Sequence, residues 1–229
     1  MNIGMYRAIS GCMVQQEKLT TSSINMANAN TVGYKPVRLS LSSQNNIVQV
    51  DKNVVDFSEG GKQNTFNKLD LALEGEGFFV VQAHQGLAYT RKGNFSLNAE
   101  GIMVTQEGLP VLGQNGVIRI QGNNFTVSGD GAIQVDGTEI DKLRLADFPR
   151  PYPFAGNSGT LFYPTTSQIQ EQSAKGVVVR QGQLELSNTN LMEEMTRLIE
   201  ISNNYESCQK VMQTVDEMDQ KIINETRNT

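Results

Sequence analysis

From Asn190 to Thr229 apolar side chains recur in a helical rhythm. Leu191, Leu198, Ile201, Tyr205, Cys208, Met212, Val215 and Ile222 lie three, four or seven positions apart. That spacing puts them on one stripe of a helix, in the a/d rhythm of a coiled-coil seam. The positions between them are nearly all polar, and no Gly or Pro interrupts the run. At about 1.5 Å per residue the helix would be roughly 50 Å long. So narrow an apolar stripe needs a partner helix. Residues 3 to about 29 supply one, with Met5, Ile9, Cys12, Leu19 and Met26 at the same spacing and Gln16 and Ser23 filling two seam positions. Its Thr20-Thr21-Ser22-Ser23 run disfavours helix, so it is expected to be marginal alone and stable only when packed.

Between these ends the period changes to two. Leu69, Leu71 and Leu73 alternate with polar or small residues, and Phe78–Val81 reads as a buried strand. Turn signals follow at roughly ten-residue spacing, among them Asp130-Gly131 and Asp136-Gly137, which suit hairpins of the primed type. Pro149 to Gly159 is expected to end this body, and Val177 to Leu186 to return the chain to the last helix. From Val37 to Asn64 the pattern is poor and Ser, Gln and Asn dominate, with short strand-like pieces at Ile47–Val50 and Val54–Phe57, which reads as an extended, partly ordered connector. The expected class is α+β: paired terminal helices forming a coiled-coil-like unit (residues 1–30 and 190–229), a connector (31–65) and an inserted antiparallel β domain (66–189).

Charge supports pairing of the ends. Residues 1–38 hold four basic and one acidic side chain, whereas residues 190–229 hold four basic and eight acidic ones. The net charge of −5 gives no footing for nucleic acid, which wants a basic face. The acidic polar face of the last helix would be repelled by anionic lipid, and no apolar run is long enough to span a bilayer, so no lipid insertion is expected. Residues 1–16 lack the apolar run and cleavage site of a secretory signal.

Chemistry is sparse. His84 is the single histidine and sits beside a turn, and no Cys/His cluster has zinc spacing. Gly75-Glu76-Gly77 precedes a strand rather than a helix, so it reads as a tight turn instead of a phosphate loop. Asp136, Glu139 and Asp141 do not match a calcium loop. No catalytic residue, cofactor or metal is expected. Cys12 and Cys208 each fall on an apolar stripe and read as small buried hydrophobes, with an interhelix disulfide as the alternative.

Several stretches carry a resemblance to a known family. Asn25-Met26-Ala27-Asn28-Ala29-Asn30-Thr31-Val32-Gly33-Tyr34-Lys35 resembles the N-terminal signature of the bacterial flagellar axial proteins, with Val32 in place of the family's usual Pro and Ile24 in place of an Asn. Asp70–Val81, Tyr89–Leu97 with Gly108–Gly113, and Gln181–Asn188 continuing into Tyr205-Glu206 and Lys210–Met218 agree with it. The resemblance implies a structural subunit of the basal-body rod, most like the proximal rod subunits and next the distal ones. It also implies export through the flagellar type III apparatus without a cleaved signal, and partners among other rod subunits and further copies of itself. Asn28, Asn30, Thr31, Gly33, Tyr34 and Lys35 would then form the motif loop, and the two helical stripes would pack subunits. Outside the family, the same residues suit an adapter whose terminal helices close a dimer.

Overall fold

A computed structural model describes residues 3–44, 47–122, 124–165, 171–174 and 176–227. The chain divides into two units. One holds residues 1–29, 36–56 and 189–229, and the other holds residues 30–35 and 57–188.

The first unit is built on two helices, α1 (Ile3–Ala27) and α2 (Leu191–Arg227), which pack side by side. They run antiparallel, because Ser22 meets Glu194 and Cys12 meets Cys208. Asn190 caps α2, its Oδ1 accepting from the Met192 and Glu193 amides at 3.1 and 3.4 Å. Glu193 and Glu194 in the first turn suit the positive end of the helix dipole. Strands β1 (Val37–Gln44) and β2 (Ile47–Val55) form an antiparallel hairpin, bulged between Ser40 and Leu41, that packs on α1 and covers Val14. This differs from the connector expected over 31–65. Here the polar composition reflects a two-stranded ribbon with one face on the helix and the other in water.

In the second unit, β3 (Lys62–Asn64) pairs with Gln183–Glu185 and β4 (Leu71–Glu74) with Val178–Gln181. Strands β5 (Phe78–Ala83) and β6 (Gly86–Thr90) lie at the centre of a six-stranded antiparallel sheet. The sheet is buried on both faces, which explains the uninterrupted apolar run of β5. Phe79 and Val81 enter a core with Leu71, Met103, Ile133 and Leu143, whereas Phe78 enters a cluster of rings with Phe57, Phe154 and Phe162. A three-stranded sheet, Phe125–Val127, Ala132–Val135 and Thr138–Lys142, turns at Asp136-Gly137 with φ of 51° and 85°, the left-handed pair that a type I′ turn needs.

The stretch expected to end the β body instead extends it. Phe154–Ser158 and Leu161–Pro164 pair with each other, and the latter pairs with β6. Proline and glycine dominate the local signal there, but the strands are placed by aromatic contacts to Phe57 and Phe78, far away in sequence.

Candidate assembly surface and motif loop

Burial along α2 follows part of the expected stripe. Leu198, Tyr205, Cys208, Met212 and Val215 are half-buried, and Ile201 is buried. Leu191 is 43% exposed, and the inward position one turn on is taken by Glu194, 3% exposed. The side chain of Ile222 lies outside the described residues. On α1 the less exposed line runs Met5, Ala8, Cys12, Gln15, Leu19, Ser22 and Met26, with Ile9 half-buried beside it. The two polar seam positions are thus Gln15 and Ser22. Gln16, expected in the seam, is exposed, and Ser23 flanks it. Ser22 Oγ donates to Glu194 Oε2, and Arg197 holds the carboxylate's other oxygen at 3.0 Å. Cys12 and Cys208 are joined by a disulfide across the seam, Cα to Cα 5.7 Å, rather than sitting as separate thiols. Two cysteines facing each other on one seam are within bonding reach, so the alternative reading holds.

Pairing within the chain leaves other apolar groups outside. Met192, Met195 and Ile199 are 71%, 47% and 63% exposed and lie on one face of α2, at i, i+3 and i+7. Also on this unit, Tyr6, Met13, Val14, Val48 and Val50 line an open groove between α1 and the β1–β2 hairpin.

The motif residues divide between the two units. Asn28 closes α1, its Nδ2 donating to Ile24 O at 2.9 Å. Asn25, 1% exposed, does more. Its Nδ2 donates to Val37 O at 2.8 Å and its Oδ1 accepts from Val37 N at 2.9 Å. The amide thereby stands in for a neighbouring strand and fixes where β1 starts. Asn30 is exposed, and Thr31 O accepts from Tyr34 N at 3.2 Å, turning the loop. Gly33 has φ of 66°, and a Cβ there would meet Lys92 N at 2.5 Å. Only glycine fits both conditions. Its N–H donates to Glu185 O at 2.8 Å.

Lys35 and Tyr34 are fully buried. Lys35 Nζ donates to Glu185 Oε1 at 2.6 Å and to Ser58 O at 2.5 Å. Gly60 N reaches the same Oε1 at 3.0 Å, and Arg91 Nη1 reaches Oε2 at 3.3 Å. Arg91 Nη2 donates to Gly75 O at 2.7 Å, and the guanidinium lies over the Phe78 ring, 5.5 Å from its centroid. One buried carboxylate therefore gathers four segments distant in sequence: the motif loop, residues 58–60, the end of β6 and the strand before α2. Glu185 and Arg91 were not singled out individually by sequence, although both lie within matching stretches. A lone Glu in a strand carries no periodic signal, so only the buried Lys35 could have asked for its partner.

The residues weighed for chemistry lie apart from this cluster. His84 is exposed in the β5–β6 turn. Among the described residues no group of three His, Cys, Asp or Glu could hold a metal, and no helix is long and apolar enough to cross a membrane. Tyr89 is pushed up to about 12, first by burial and then by Glu171, whose carboxylate accepts its hydroxyl. Glu171 in turn raises Arg144, which it binds at 2.7 and 2.8 Å.

Three family models match in chain order: a flagella basal body rod protein model over residues 5–35, a flagellar hook protein FlgE/F/G D1 domain model over 72–135, and a flagellar basal body rod FlgEFG protein C-terminal model over 180–225. Two terminal models bracketing a β-domain model define the class as flagellar axial subunits. Full-length similarity narrows it. The flagellar basal-body rod protein FlgF of Caulobacter vibrioides is 32% identical, over 97% of each chain. FlgF of Rhizobium meliloti is 31% identical over 93% of this chain and 92% of its own. FlgG of Bacillus subtilis is 30% identical over 96% and 97%. The chain belongs to the flagellar basal-body rod protein family. It is a structural subunit of the rod, located in the flagellar basal body, and assembles with other rod subunits.

Proposed function

We propose that the subunit polymerises through its terminal helical unit, residues 1–30 and 190–229, while the β domain, 66–189, forms the outer body of the rod. The observation that carries this is the face Met192, Met195 and Ile199, left exposed once α1 and α2 have paired. A groove on the same unit, lined by Tyr6, Met13, Val48 and Val50, offers an apolar seat of the right kind. Contacts between unlike patches on identical copies generate a helical filament where the rotation between copies does not close into a ring. The seam residues Met5, Cys12, Leu19, Met26, Leu198, Ile201, Tyr205, Cys208, Met212 and Val215, with Ile9 beside them, then act as a coiled-coil-like brace within each subunit. The outward face, with Leu191, meets the neighbour. The rod segment is the proximal one, of the FlgF type. The alignment with the Caulobacter relative covers as much of this chain as that with the Bacillus FlgG but runs over 239 rather than 257 positions, so it opens fewer gaps. Export runs through the flagellar type III apparatus to the periplasm without a cleaved signal.

The test is a Met195→Asp/Ile199→Asp chain expressed in cells lacking the wild-type copy. The protein should fold normally yet be missing from purified basal bodies, and the cells should not swim. Wild-type incorporation of this variant would overturn the assignment.

A further inference from the structure

The Cys12–Cys208 bond ties α1 to α2 across their seam. Inward of it, the two strands of chain are tied once already, by Gly33 N donating to Glu185 O at 2.8 Å. Between these two ties the seam alternates apolar Leu19, Leu198 and Ile201 with polar positions. Ser22 and Glu194 face each other there, and Gln15 buries an oxygen that no donor reaches among the described residues. The Thr20–Ser23 run lowers the helix propensity of the same stretch. Outward of the disulfide, Met212 and Val215 are only half-buried.

We propose that Cys12 and Cys208 form a redox-operated clamp on the helix pair. As the dithiol, α1 and α2 dock loosely while the β unit stays folded. As the disulfide, they are locked in the register that presents the outward face of α2. The purpose assigned to that face rests on the proposed mode of assembly. The clamp itself does not.

Closure is a thiol–disulfide exchange. Cys208 is half-buried and Cys12 only 7% exposed, so Cys208 is the sulfur that an oxidising protein disulfide reaches first. Its thiolate attacks one sulfur of that disulfide, forming a mixed disulfide and releasing the other sulfur as thiolate. The Cys12 thiolate then displaces the remaining sulfur. Two electrons pass to the oxidant, which leaves as a dithiol, and the two thiols of this chain give up their protons. A dithiol reductant runs the same steps backwards.

The size of the effect follows from the ring being closed. From Gly33 back to Cys12 and from Glu185 on to Cys208 is about 45 residues in all, and a cross-link on a loop of that size removes open states by a factor on the order of a thousand. The experiment uses full-length purified protein, oxidised or reduced, with Cys12→Ser/Cys208→Ser as the permanently open form. Non-reducing peptide mapping should show the two cysteine peptides linked. On reduction, amide protection in α1 and the first half of α2 should fall by up to about a thousandfold. Protection in β5 and β6 should be unchanged, and the double-Ser chain should match the reduced protein. Equal helix protection in both redox states would overturn the clamp, as would free thiols in protein recovered from basal bodies. So would loss of β5 and β6 protection on reduction, since the bond would then hold the whole fold. A failed assembly mode leaves this comparison intact, because it reads a single chain in solution.

Discussion

Replacing Glu185 by Gln keeps the shape of the side chain and removes its charge. Glu185 is fully buried, and so is Lys35, while Arg91 is 2% exposed. The variant therefore removes the carboxylate that two buried cations share, while Lys35 keeps Ser58 O and Arg91 keeps Gly75 O. Breaking a buried ion cluster by removing one partner costs about 3–5 kcal/mol. For a chain of this length each kcal/mol lowers Tm by about 2–4 °C, so the expected drop is roughly 6–20 °C. With no Trp in the chain, the assay is far-UV circular dichroism, by heat and by urea at unchanged m-value. Glu74→Gln is the control. Its partner Arg180 is 52% exposed, so the loss there should stay under about 1 kcal/mol. Adding Lys35→Met to Glu185→Gln should restore part of the stability, because one buried charge disappears. A loss for Glu185→Gln no larger than the control, or no recovery with Lys35→Met, would refute the claim that this carboxylate neutralises the buried cations.

Three further outcomes are expected. Gly33→Ala places a Cβ against the Lys92 amide at a left-handed φ and should destabilise by at least about 2 kcal/mol in thermal melts. Asn25→Ala strips both partners from Val37 and should cost about 2 kcal/mol or more, with the Val37 amide losing its exchange protection. Tyr89, pushed up to about 12, stays neutral in the folded chain over a range where the unfolded chain ionises. Its stabilising effect is therefore complete below about pH 10 and lost between about pH 10 and 12. In a phenolate absorbance titration one tyrosine should ionise late, and Tyr89→Phe should abolish that late step.

What could be read from sequence follows from how each element is held. The α2 helix was legible because a long helix with an apolar side writes its period directly into a three-four spacing. The Asp136-Gly137 turn was legible because left-handed backbone selects few residue types. The β1–β2 hairpin was legible only as strand-like pieces at Ile47–Val50 and Val54–Phe57, since a ribbon with one wet face needs little apolar content and takes its order from α1 and from the Asn25 amide. Phe154–Ser158 was hidden for another reason: its place depends on rings brought from Phe57 and Phe78. The α1 seam was misplaced by one residue at Gln15 and Ser22, because polar side chains carry no weight in a hydrophobic pattern. The motif loop was recognisable as a string of residues, yet the burial of Lys35 is decided by Glu185, 150 positions away.

The disulfide also makes the polypeptide a closed loop between positions 12 and 208. A protease that cuts once anywhere inside that loop leaves both pieces on one molecule, and on a non-reducing gel the nicked chain shows no small fragment. Damage in an exposed surface turn would thus leave an installed subunit in place, its two ends still joined.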